Sequence, residues 1–232
     1  MEIIVPAAGL STRFPNMKPK YLLSDKNGRM MLSKSINPYL TEGHKVTVGI
    51  LQAHIDKYDA YNLLKTEFGD TITIVVIPKV TTGPADTAYQ IIKATNISED
   101  SEFLIKDCDS YFTHTDTPGN YVCISRVANH FMLSNLAAKS FVVSNEQGII
   151  TDIIEKKVVS DKFCVGGYKF ESIKLFVDTY EKLNSDVKNE IFVSHIIQEC
   201  LMNNCIFFEK DVQGYSDVGT IEAWQKYNES LT

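Results

Sequence analysis

The sequence lacks the features that mark several broad protein classes. Its five cysteines (Cys108, Cys123, Cys164, Cys200 and Cys205) are odd in number and include no C-x-x-C pair. A disulfide framework is therefore not expected, and the thiols read as buried and reduced. His44, His54, His114, His130 and His195 are scattered, with no ligand spacing to one another or to a cysteine pair, which argues against zinc. No apolar run approaches the roughly 18–20 residues of a membrane span. The opening Met1-Glu2-Ile3-Ile4-Val5-Pro6 carries an acid where a secretory leader needs basic residues. A cytoplasmic protein with no membrane insertion is the expectation. Basic residues are outnumbered 23 to 29, for a net charge of -6, a poor basis for sequence-independent binding to nucleic acid or an anionic membrane, so no nucleic-acid partner is expected. An anionic ligand would have to be held by a local basic cluster working against the global field.

What is present is an ordinary globular composition, 44% hydrophobic over 232 residues, enough to bury one large core without disulfides. Short β-branched runs (Ile3–Val5, Val46–Leu51, Ile72–Ile77 and Phe103–Ile105) alternate with helical patterns at Met30–Leu40, Ile55–Phe68 and Ala85–Ala94. That alternation predicts βαβ units and a parallel sheet. From residue 121 strand-like pieces crowd together: Tyr121–Ser125, Phe141–Ser144, Ile149–Ile154 and Phe163–Phe170, with Asn145-Glu146-Gln147-Gly148 as a hairpin turn. Helices are expected at Ile173–Leu183, Ile191–Met202 and Thr220–Tyr227, with a short strand at Ile206–Phe208. The fold class is α/β: one Rossmann-like domain over residues 1–232, with a mixed, mostly parallel central sheet flanked by helices.

The first strand runs into Ala7-Ala8-Gly9-Leu10-Ser11-Thr12-Arg13, and then Lys18-Pro19-Lys20-Tyr21. Small residues after a buried strand let the backbone approach a ligand and turn N–H groups toward an anion. Arg13 supplies a bidentate fork for phosphate oxygens and Lys20 a point charge, with Lys18 nearby. The pattern lacks G-x-x-x-x-G-K-[ST] and is not a P-loop. Further on, Phe103-Leu104-Ile105-Lys106-Asp107-Cys108-Asp109 ends a buried strand in two acids at i and i+2, which extended geometry places on one face. Carboxylates there suit a Mg²⁺ that bridges phosphates.

Ala-Ala-Gly-Leu-Ser-Thr-Arg-Phe followed by Lys-Pro-Lys-Tyr-Leu-Leu resembles the signature of the sugar-phosphate nucleotidyltransferases, which include NDP-sugar pyrophosphorylases and cytidylyltransferases and share a GT-A-like fold. Gly9, Arg13, Pro19 and Lys20 match; Ser11 stands in place of the second glycine. The resemblance extends to Thr82-Gly83-Pro84-Ala85-Asp86-Thr87, whose Gly83 and Ala85 would pack against the nucleoside. It also covers Asp107-Cys108-Asp109, where Asp109 would bind the metal, with Asp107 as competitor. Further matches are Glu155-Lys156, Gly166-Gly167-Tyr168, Glu190 and Asp217-Val218-Gly219-Thr220. It implies a triphosphate held by residues 7–13 and Lys20, with Arg13, Lys20 and Lys156 as the catalytic cations. Asp109 and Asp217 would hold Mg²⁺ (or Mn²⁺), and Lys156, Gly167 and Glu190 would receive the acceptor. Residues 1–120 would mainly bind NTP and residues 121–232 the acceptor.

The implied function is transfer from an NTP to a phosphorylated acceptor, a sugar 1-phosphate first, giving an NDP-sugar and pyrophosphate in surface-polysaccharide or cell-envelope precursor synthesis. Cytidylyl transfer to another phosphorylated alcohol or a phosphonate is the alternative. A GT-A glycosyltransferase, suggested by the D-x-D of Asp107 and Asp109, is disfavoured because its donor brings no triphosphate for Arg13 and Lys20. Trp224 and Tyr227, read as exposed on the last helix, offer a surface for a homo-oligomer.

Overall fold

The computed structural model describes residues 1–130, 136–186 and 190–231. Its first half is a run of βαβ units. β1 (Glu2–Ala7) pairs in parallel with β2 (Lys45–Leu51), and β2 with β3 (Ile72–Ile77). On its other side β1 pairs in parallel with β4 (Phe103–Lys106). The helices α1 (Met31–Thr41), α2 (Gln52–Tyr58), α3 (Ala60–Phe68) and α4 (Pro84–Lys93) make the crossovers. The single helix expected over Ile55–Phe68 is two, broken at Asp59, whose left-handed backbone (φ 55°) ends α2 and starts α3.

A short β5 (Ser110–Thr113) precedes β6 (Asn120–Arg126). The hairpin of β7 (Phe141–Ser144) and β8 (Ile150–Ile154) follows, closed at Gly148 (φ 75°), whose amide donates to the Asn145 carbonyl at 3.0 Å. β9 (Lys162–Phe170) then runs antiparallel between β4 and β6. After α5 (Ile173–Asp186) and α6 (Val193–Met202), β10 (Phe207–Asp211) joins the edge in parallel with β6. The main sheet is ordered β10-β6-β9-β4-β1-β2-β3. Last come β11 (Gln213–Asp217) and α7 (Ile221–Ser230), where the Thr220 hydroxyl caps α7 by accepting from the Ala223 amide at 3.2 Å.

The continuous apolar character of the central strands reflects burial on both faces. In β4, Phe103 and Ile105 pack under α4, α5 and α6 with Ile91, Phe176 and Ile196, while Leu104 faces Leu32, Ile36 and Leu64 on the opposite side. Both sheet faces are therefore spent on core, and the carboxyl ends of β1 and β4 are left as the place for a ligand. Trp224 is buried, not exposed: it packs with Phe14, Leu23, Met31, Tyr111 and Val218. α7 thus closes the region behind the first loop instead of presenting that ring outward. All five cysteines are unpaired. No helix among the described residues is long and apolar enough to cross a membrane.

Candidate active site

Past Ala7 the chain leaves the sheet and turns at Ser11, whose backbone is left-handed (φ 52°). A side chain there costs about 1–2 kcal/mol that glycine avoids, a physical reason for glycine at this place in the resembling pattern. The serine uses its hydroxyl in return. Its Oγ accepts from the Lys20 amide at 3.0 Å, and its carbonyl accepts from the Phe14 amide at 2.8 Å. The loop is thereby folded over the start of the turn Lys20–Leu22, in which Tyr21 and Leu22 are buried.

Lys20 reaches across to Asp109, with Nζ 2.6 Å from Oδ2. Burial works against the Lys20 ammonium, but the Asp109 carboxylate outweighs it and raises the lysine above its ordinary value. Burial likewise works against ionised Asp109, and Lys20 outweighs it, holding the carboxyl well below the usual range. Asp107 goes the other way: burial and the neighbouring Asp109 charge push it up.

These two acids do not alternate along a strand, as their spacing suggested. β4 ends at Lys106, and Asp107-Cys108-Asp109 forms the turn into β5. Lys106 is fully buried beneath that turn. Its ammonium donates to the carbonyls of Asp107 (2.7 Å) and Ser110 (2.6 Å) and to the hydroxyls of Ser110 (3.0 Å) and Ser35 (2.9 Å). Burial lowers the Lys106 ammonium to about 8.

The second acid arrives through a two-stranded sheet. β11 pairs antiparallel with β5, placing Asp217 opposite Ser110, and the Val218 amide donates to the Asp109 carbonyl at 2.9 Å. Gly219 then lies between the carboxylates: a Cβ there would stand 2.5 Å from Asp109 Oδ2 and 3.1 Å from Asp217 Oδ1. Asp217 is itself ion-paired with Lys139. An ammonium therefore flanks each carboxylate, Lys20 on Asp109 and Lys139 on Asp217.

The acids open on a cavity of about 420 Å³ that spans both halves of the chain. Of the residues singled out in the sequence, Ala7, Gly9, Leu10, Ser11, Arg13, Lys20, Gly83, Asp107, Asp109, Glu190 and Asp217 line it. Gly83 abuts the far half directly, since a Cβ on it would meet the Ile191 carbonyl oxygen at 2.8 Å and Glu190 Cγ at 2.9 Å. Ala8 and Ala85 are buried in the core behind the wall, and Thr12 and Lys18 are exposed outside the lining. Gly167 faces the opposite side of the sheet, its missing Cβ directed at Phe112 and Cys123; its neighbour Gly166 (φ 84°) is the one set against Asp107. Lys156 is exposed, has a left-handed backbone (φ 54°), and rests its ammonium 4.0 Å from the centre of the Phe192 ring.

Lys139 had no motif to announce it. Nor did Ser140 and Ser194, whose hydroxyls donate to Oε2 of Glu155, the acid of the Glu155-Lys156 match, that of Ser194 at 2.6 Å. All four residues line the cavity.

The donor set suits a hard divalent ion. Two carboxylates converge on a space that a single Cβ would fill, and Mg²⁺ commonly takes one or two carboxylates together with phosphate oxygens and water. No cluster of three or more His, Cys, Asp or Glu side chains able to hold a metal occurs among the described residues, so phosphate and water would complete the shell.

No family model and no curated protein matches the chain. Solved structures do match. The nucleoside-diphosphate-sugar pyrophosphorylase from Vibrio cholerae RC9 superposes with a TM-score of 0.82 at 14% identity, covering 98% of this chain and 100% of its own. The fold is that of the sugar-phosphate nucleotidyltransferases. The inositol-1-phosphate CTP transferase from T. maritima matches at TM-score 0.76 and 17% identity, over 98% of this chain and 93% of that one. A UDP-glucose pyrophosphorylase complexed with UDP-glucose matches at TM-score 0.71 and 17% identity, over 99% and 97%. At such identities the likeness carries the nucleotidyltransferase fold.

Proposed function

We propose that this protein transfers a nucleotidyl group from an NTP to a phosphorylated small-molecule acceptor and releases pyrophosphate. A sugar 1-phosphate is the acceptor class proposed first, in the service of sugar-nucleotide synthesis for surface polysaccharide. The observation that carries the reading is the meeting of Asp109 and Asp217 at Gly219 beside the Arg13–Lys20 loop, inside one cavity. The names of the structural neighbours support it.

In this reading the loop after β1 holds the triphosphate. Arg13 and Lys20 neutralise its oxygens and stabilise the departing pyrophosphate. Asp109 and Asp217 would hold Mg²⁺ (or Mn²⁺), which when bound neutralises charge on the phosphate oxygens. The acceptor enters from the side of Glu155, Glu190 and Phe192. Its phosphate oxygen forms a bond to the α-phosphorus as the bond to pyrophosphate breaks in line. An acceptor phosphate is already ionised at neutral pH, so the chain's task is positioning and charge neutralisation, and no general base is required.

The test crosses ATP, CTP, GTP, UTP and dTTP with glucose 1-phosphate, inositol 1-phosphate and phosphocholine in the presence of Mg²⁺, and follows pyrophosphate. Release that depends on both substrates is the expected result. Release of NDP or NMP from a nucleotide-sugar, with none of pyrophosphate, would establish glycosyl transfer instead.

A further inference from the structure

Three cationic side chains stand among the described residues that line the cavity. Arg13 and Lys20 come from the loop after β1; Lys139 comes from the opposite side, just ahead of β7. Its ammonium pairs with Asp217 and lies 5.9 Å from the centre of the Tyr215 ring. Asp217 and the Tyr215 hydroxyl take at most two of its three N–H donors, which leaves one for a ligand. Lys156, the nearest alternative on that side, is exposed and lies against Phe192 instead of lining the cavity.

The order Lys20, Asp109, Gly219, Asp217, Lys139 therefore sets one ammonium on each flank of the carboxylate pair. A reaction between two phosphorylated substrates must offset their mutual repulsion locally, because the protein as a whole is acidic. Arg13 and Lys20 can serve the triphosphate from one side only. We propose that Lys139 binds the phosphate group of the acceptor, the second anion of the reaction. The proposal rests on the transferase reading above and adds to it the residue that receives the acceptor.

The deciding experiment is calorimetric titration of inorganic phosphate, as the probe, into the full chain with Mg²⁺ and saturating pyrophosphate. Wild type is compared with Lys139→Met, Lys139→Arg and Lys156→Met. A charge-assisted hydrogen bond to phosphate is strong enough that its loss should weaken binding ~10-fold or more. Lys139→Met should show that loss, Lys139→Arg should restore most of the affinity, and Lys156→Met should weaken binding less than Lys139→Met. Where an acceptor supports turnover, Lys139→Met should raise KM for that acceptor more than KM for the NTP. A purely structural role would not produce that split. If Lys139→Met fails to fold, Lys139→Gln replaces it. Absence of phosphate binding by wild type, unchanged affinity in the Lys139 variants, or a larger loss in Lys156→Met would overturn the proposal. Lys139-dependent phosphate binding without pyrophosphate release from any substrate pair would instead sink the transferase reading and leave this assignment standing.

Discussion

The ammonium of Lys20 sits 2.6 Å from a carboxylate oxygen of Asp109, 89 residues further along the chain, and so ties the loop after β1 to the turn after β4. Each partner moves the other's ionisation toward the charged form. The pair should therefore behave as a unit. Lys20→Met and Asp109→Asn are each expected to lower pyrophosphate release by ~10²-fold or more. The double variant should fall well short of the product of the two losses, because contacting residues are not additive. Steady-state turnover of all three variants checks this, and full additivity would show that the two groups act separately.

Gly219 offers a steric test of the same centre. An alanine methyl would occupy space 2.5 Å from Asp109 Oδ2 and 3.1 Å from Asp217 Oδ1. One or both carboxylates must then move. Gly219→Ala is expected to raise the Mg²⁺ concentration needed for half-maximal turnover by ~10-fold or more, as for changes that disturb metal-ligand orientation. A magnesium titration of activity checks it.

Much of this arrangement was legible in the sequence because buried strands and their exit loops are written in local composition. Ile3–Val5 followed by small residues, then Arg13 and Lys20, gave the first wall of the cavity. What local composition hides is the pairing of short, partly polar strands. β5 and β11 have only four and five residues and show no extended apolar run, yet their register is what sets Asp217 beside Asp109. Lys139 and Ser140 were hidden for the same reason: their importance comes from tertiary neighbours, Asp217 and Glu155, that no spacing rule connects to them. Gly166 and Gly167 show the other limit. Adjacent strand residues face opposite sides of a sheet, and the motif does not say which one the cavity takes.

Asp86 holds the segment that carries Gly83. Its Oδ2 accepts from the Thr82 amide at 2.8 Å and the Thr82 hydroxyl at 3.1 Å, and its Oδ1 from Gln90 at 3.0 Å. Burial opposes its ionisation, but these hydrogen bonds outweigh burial and lower the carboxyl below its ordinary value. The stabilisation is therefore present above the unfolded value near ~3.9 and is lost as pH falls through the lower folded value. Asp86→Ala should cost about 1.5–3 kcal/mol at neutral pH. Urea unfolding at pH 7 and again near pH 3 should show the gap between variant and wild type narrowing in acid.

His114 should give the protein an acid-sensitive window at higher pH. The Tyr121 hydroxyl donates its one hydrogen to Asp116 at 2.8 Å, so the 2.7 Å contact with His114 Nε2 has the imidazole as donor. Nε2 thus carries a proton, and the ring lies among those of Tyr39, Phe112 and Tyr121, surroundings that favour the neutral imidazole. Burial lowers it to about 4, against the pull of Asp116. Unfolding frees the imidazole to bind a proton near ~6.5, so the unfolded state holds more protons between that pH and about 4. Stability must then fall as pH drops through this window, by up to about 1.4 kcal/mol per pH unit for one proton. His114→Asn removes that proton and should flatten the decline, even though its loss of ring packing lowers stability at pH 7. Melting temperatures of the two proteins measured from pH 7 to pH 4 should converge toward acid; parallel curves would show that His114 is not the group responsible.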